Sequence, residues 1–356
     1  FVGTDGHGHT FPAATLPFGM VQAGPDTRIN GWDGCSGYHY SDSVILGFTH
    51  THLSGTGCLD YGDILVMPVT DGRLTSRFSH DDEKASPGYY EVTLLDNDVK
   101  VRIAAGRRMA MHEYSFPRGA ARNVRVDLRH RDRLLGSFIE KTGENSIQGW
   151  RQSRSWARCQ DVYFYAEFSE PLENFSPVDS SSVTLAFADG NKPLKLKIAI
   201  SSVSCENARE NLRAENAEGD WNLESLRRKA VKEWNGWLSR IDVKGTPEQK
   251  RTFYTSLYHC AVHPSLYSDA NGEYRGMDRK VHNAGKYDRY TIFSIWDAFR
   301  AEFPLFNMIG RDYMPDFLES MLSIYNESGC RGGKKPRERR IRMSILKRCA
   351  VAALVL

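Results

Sequence analysis

At 356 residues, with 40% hydrophobic and 26% charged, the chain has the make-up of a folded globular protein with room for two domains, which excludes disordered and fibrous classes. The formal charge of +3 is an end effect: residues 331–356 hold nine of the 47 cations against one of the 44 acids, so residues 1–330 carry −5 and offer nucleic acid no basic surface. Seven widely spaced cysteines without a Cys-x-x-Cys pair exclude a zinc ribbon, and no run approaches the ~20 apolar residues of a membrane span.

From Phe1 to about Gly219 turn residues punctuate short alternating runs, clearest in Val99–Ile103 and Leu194–Ile198. Alternation at period two predicts half-buried antiparallel strands, and many of them with little helical pattern predict a β-sandwich over residues 1–219. Val183–Phe187, the turn 188–192 and the Leu194 run together predict a hairpin.

Near Asp220 the period changes. Leu223, Leu226, Ala230, Trp234 and Leu238 recur every three or four residues, predicting an amphipathic linker helix within 220–245. Thr246-Pro247-Glu248-Gln249 opens a second helix with a capping box and proline in the first turn; its apolar face is Phe253, Leu257 and Ala261, and Pro264 ends it. A third helix is expected from Thr291 to Phe303, stopped by Pro304, and a fourth from Met314 to Ser328, stopped by Gly329. With no strand expected between them, residues 246–329 predict an all-α domain. Residues 331–356 are a basic tail with no aromatic residue.

His7-Gly8-His9 and His50-Thr51-His52 have the i, i+2 spacing that could chelate a metal from a strand, with Asp60 and Asp63 nearby. No cysteine or acid stands at ligand spacing, so these histidines are expected to bond backbone or substrate instead. The glycines of Gly3–Gly8 and Ser54–Gly57 are not followed by Lys-Ser or Lys-Thr, which excludes a phosphate loop. On the third helix Phe293, Asp297 and Arg300 share a face and Trp296 flanks the carboxylate. Its neighbours Ile292, Ile295, Ala298 and Phe299 are apolar, so Asp297 is expected to be at least partly buried and to bond a polar ligand. The alternative is an exposed Asp297–Arg300 pair worth a few tenths of a kcal/mol.

The strings Phe1–Pro12, Pro17–Val21, Gly31–Tyr40, Gly47–Gly57 and Tyr290–Arg300, in that order, resemble glycoside hydrolase family 92 from residue 1 to about Gly329. The resemblance implies a β-sandwich followed by an (α/α)₆ barrel, here incomplete. It also implies a calcium-dependent exo-α-mannosidase of α-1,2 type that removes terminal mannose from N-glycans or mannans with inversion, in a secreted or periplasmic protein. Inversion needs an acid and a base carboxyl roughly 6.5–9.5 Å apart. The resemblance implies that the family's catalytic Glu, its base and its calcium ligands are expected beyond the end of this chain, so no catalytic residue and no metal ligand is assigned.

The resemblance places Asp297 in the mannose subsite with Trp296 and Arg300, bordered by Trp32, His7, His9, His50 and His52. The partner is then a mannose-terminated glycan, and residues 331–356 are expected to be out-of-frame sequence closing a truncated, inactive form. Competing readings are a carbohydrate-binding module and, resting on the tail alone, a structural or nucleic-acid-associated protein.

Overall fold

A computed structural model of the chain describes residues 1–217 and 219–328, so the basic tail and Gly329 lie outside the described residues. Two antiparallel sheets form the β-rich part. The six-stranded sheet runs Gly24–Asp26, Gly47–Thr49, Leu65–Val69, Arg122–Asp127, Ser182–Phe187 and Asn174–Asp179. The eight-stranded sheet runs Arg133–Lys141, Ser146–Arg154, Gln160–Phe168, Leu194–Ser201, Met109–Ser115, Val99–Ala105, Tyr89–Leu94 and Lys84–Ser86.

The sheets bury a shared core. Phe168 meets Phe187 at 4.9 Å between ring centroids and Phe48 meets Tyr90 at 6.3 Å, each pair drawn from opposite sheets. The eight-stranded sheet is covered on its other face as well, where Met109, Met111, Tyr165 and Ala199 pack with Ala208, Leu212, Leu223 and Leu226 of helices α1 (Cys205–Glu215) and α2 (Leu223–Leu238). Burial on both faces explains why Met109–Tyr114 is buried without alternation.

Several expected elements differ. Ser182–Phe187 and Leu194–Ser201 do not form a hairpin: the first pairs with Arg122–Asp127 and Asn174–Asp179, the second with Gln160–Phe168 and Met109–Ser115. The turn between them crosses from one sheet to the other, and the Arg122 guanidinium, bonded to Ala188 O at 2.6 Å and Lys192 O at 3.1 Å, fastens the corner. Facing each other across the core satisfies both apolar runs as well as pairing would. Helix α1 starts inside the span expected to be sandwich alone.

α2 follows its predicted face but buries Trp237 rather than Leu238. Helix α3 (Pro247–Cys260) opens on the capping box: Thr246 accepts from Gln249 N, and the Gln249 side chain accepts from Thr246 N at 2.9 Å. Between α3 and the next helix the chain is not helical, for Ser265–Leu266 pairs with Tyr290–Thr291 and Glu273–Arg275 with Val281–Asn283.

The expected third helix is also broken. Four residues form α4 (Ile295–Ala298), and α5 (Glu302–Ile309) runs through Pro304. Proline in the first helical turn removes an N–H that has no intrahelical acceptor, so it starts this helix instead of stopping the previous one. Helix α6 (Met314–Glu327) ends on Ser328. Phe18, from the N-terminal segment, is fully buried among Trp237, Phe306, Tyr313 and Phe317, at centroid distances of 4.7–5.5 Å.

Candidate functional site

The N-terminal loops gather around Trp32, whose side chain opens the short helical turn Trp32–Gly34 and stays 59% exposed. One edge of its ring meets the His9 imidazole at 4.7 Å. The ring also covers Gly57, where a Cβ would come within 2.6 Å of it. Gly55 N donates to His9 O at 2.8 Å, tying the two glycine-rich segments together under the indole. His7 is exposed and its Nδ1 lies 2.6 Å from Asp33, whose carboxyl this hydrogen bond holds below its ordinary range.

Three buried polar atoms in these loops have no hydrogen-bond partner: His9 Nε2, Thr10 Oγ1 and Thr56 Oγ1. An unsatisfied buried polar atom costs about 1–3 kcal/mol. His9 and Thr56, the neighbour of Gly57, carry two of them at Trp32, while Thr10 Oγ1 faces Gly3, 3.1 Å from where a Cβ there would lie.

The other two histidines lie elsewhere. His50 is fully buried, with Nδ1 on Ile64 O at 2.7 Å and Nε2 facing His112 Nε2 at 3.0 Å. His52 Nδ1 lies 2.8 Å from Gln22 O and its Nε2 2.9 Å from Asp26, which also meets His130 at 2.8 Å. Segment 50–52 is not a strand, so the two imidazoles point to separate networks and neither leaves a ring nitrogen for a ligand. The nearby acids are engaged too: Asp63 pairs with Arg151 at 3.0 Å, and Asp60 accepts from Trp156 N and Ala157 N, both at 2.7 Å.

The segment before Asp297 carries Ile292 at φ 62, a strained conformation for a β-branched residue. Asp297 itself is exposed, contrary to the burial expected from its apolar neighbours, and accepts from Ser294 Oγ at 2.6 Å. α4 is too short to surround it: Ala298 is buried while Trp296 is 79% exposed. Arg300 lies over the Phe299 ring at 5.2 Å instead of pairing with Asp297. Sequence reasoning passed over Glu302, whose carboxyl is raised to about 7 by burial and by the Asp297 charge. Among the described residues no hydrogen bond, ion pair or ring contact joins Trp296–Arg300 to the Trp32 cluster. Cavities of 480 and 560 Å³ open elsewhere, beside Tyr254 and beside Glu215.

The family description "Glycosyl hydrolase family 92 N-terminal domain" matches residues 1–211, and "Glycosyl hydrolase family 92 catalytic domain" matches residues 207–340. The chain belongs to glycosyl hydrolase family 92. The second match continues past Gly329, where the motif resemblance had been expected to stop.

Among solved family 92 structures, an α-mannosidase from Bacteroides thetaiotaomicron is 33% identical with a TM-score of 0.86, over 92% of this chain and 48% of that one. The same α-mannosidase has been solved with mannoimidazole. An inverting mannosidase of that bacterium is 30% identical with a TM-score of 0.79, over 91% of this chain and 46% of that one. An uncharacterized secreted glycosidase from Arthroderma benhamiae is 24% identical, over 76% of this chain and 41% of that protein. The chain thus spans about half the length of these structures and less of the curated relative.

A calcium ion needs six to eight oxygen ligands. Among the described residues no group of three His, Cys, Asp or Glu side chains is arranged to hold a metal, so these residues do not fit the ion and no chemistry is routed through it.

Proposed function

We propose that this protein acts on α-linked mannosides, as an inverting, exo-acting α-mannosidase of α-1,2 type whose N-terminal loops contribute to holding the sugar. The supporting observation is the pair of unpartnered buried atoms His9 Nε2, on the residue that touches the exposed Trp32 indole, and Thr56 Oγ1, on the neighbour of the Gly57 that this ring covers. Sugars present CH faces that stack on aromatic rings and hydroxyls that both donate and accept, so one ligand answers both features. In this reading Trp32 stacks on the sugar, with His7 and His9 at its rim. Asp297 accepts hydrogen bonds from mannose hydroxyls, with Trp296 and Arg300 alongside. Burial and the neighbouring Asp297 charge raise Glu302 to about 7, so near neutral pH its carboxyl spends part of its time protonated and able to donate to a hydroxyl oxygen.

The family's mechanism needs a general acid, a general base and calcium, and none is assigned to a described residue. The secreted relative makes an exported protein the fitting compartment, and among the described residues no helix is long and apolar enough to cross a membrane. Titration with α-1,2-mannobiose should change tryptophan emission saturably at millimolar ligand, while cellobiose should not. An equal response to both sugars, or none to either, rejects the reading. Selective binding with no mannose released in the presence of calcium would favour a carbohydrate-binding module instead.

A further inference from the structure

The most exposed large apolar side chain in the β-rich part is Trp156, at 81%. It stands in the turn between strands Ser146–Arg154 and Gln160–Phe168, with its ring open to solvent. The turn is held firmly. Both carboxylate oxygens of the buried Asp60 accept backbone N–H groups from it, Trp156 N and Ala157 N at 2.7 Å each, so the ring is offered from a fixed backbone.

The location matters as much as the exposure. Asp60 is three residues from Gly57, the residue covered by the Trp32 ring, and three residues of extended chain reach at most about 11 Å. One loop therefore has an exposed indole attached near each end: the Trp32 ring covers Gly57, and the Trp156 backbone is bonded to Asp60. Arg154 and Arg158 flank Trp156, are exposed, and have no ion-pair partner among the described residues, so their guanidinium groups are open to donate.

We propose that Trp156 is a second stacking platform, taking a sugar residue of an α-manno-oligosaccharide further along the chain from the one held at Trp32, with Arg154 and Arg158 donating to its hydroxyls. This rests on the reading of the Trp32 loops as sugar-binding. A preorganised ring that adds one stacking contact gains affinity only for ligands long enough to reach it.

The test titrates the protein with α-1,2-mannobiose and with α-1,2-mannotetraose, in wild type, Trp156→Ala and Trp156→Phe. Trp156→Ala should weaken the tetrasaccharide about three- to tenfold while leaving the disaccharide unchanged, and Trp156→Phe should recover most of the loss. If the tetrasaccharide binds no tighter than the disaccharide in wild type, or if Trp156→Ala weakens both equally, the platform is rejected and the Trp32 reading stands. If neither sugar binds to wild type, both fall.

Discussion

Two glycines separate the structural and the ligand-facing roles of the N-terminal loops. Gly37 has φ +84, and a Cβ there would lie 2.1 Å from Asp26 Oδ1, the carboxylate that joins His52, His130 and Thr49 in the interior. Gly37→Ala is expected to cost more than about 2 kcal/mol of stability in denaturant unfolding, since both backbone strain and the displaced buried network act against it. Gly57 has an ordinary backbone, and what a Cβ meets there is the end of the exposed Trp32 ring. Gly57→Ala should leave stability within about 0.5 kcal/mol but shift Trp32 emission and weaken mannobiose; unchanged emission and affinity would show that the ring does not rest there. The sequence displays both glycines equally, and it displays His50 and His52 as a matched pair. Their roles diverge only because residues far along the chain, Asp26, Ile64 and His112, close on them from different sides.

Helix α1 shows why some elements escape a periodicity argument. Its buried side includes Asn207 and Asn211, and its hydrophobic contribution is little more than Ala208 and Leu212. Polar residues on the inward face hide the 3.6-residue signal. Asn211 is fully buried: Nδ2 donates to Ile200 O at 2.9 Å and Asp269 at 2.7 Å, and Oδ1 accepts from Ala270 N at 2.7 Å. Asn211→Leu, although more apolar, should therefore destabilise by about 2–4 kcal/mol, and a stabilised variant would refute this account of the helix. α3 was legible because its cap is local, four consecutive residues satisfying each other. The run from Thr291 to Phe303 misled because an apolar string looks alike in a helix, a strand end and a turn, and Pro304 reads equally as a stop or a start. The Val183 and Leu194 runs were identified as strands correctly, while their partners are set by a core that adjacency in sequence does not reveal.

The whole molecule is acid-sensitive by construction. Burial lowers His50, His259 and His263 to about 4, and pushes His112 well below its ordinary value. A histidine whose folded pKa is depressed binds fewer protons native than unfolded below about 6.5, so stability present above that pH is lost as pH falls toward 4. Asp132 and Glu302, raised to about 7, act in the opposite sense over the same window, because protonation relieves their burial. The histidine part can be isolated. His50 faces His112 on one side and has Asp26 and His52 close by, and His112→Phe removes one proton site from the pair. Between pH 7 and 5 the unfolding free energy of wild type should fall more steeply than that of His112→Phe, by roughly 1 kcal/mol per pH unit on average; parallel curves would contradict the assignment. On the same scale, Phe18 fastens the N-terminal segment into the helices. Its ring is finished only when Phe317, about 300 residues later, arrives. During synthesis the β-rich part must therefore wait with an aromatic side chain unclaimed, a handle for chaperones or for misassembly until helix α6 closes over it.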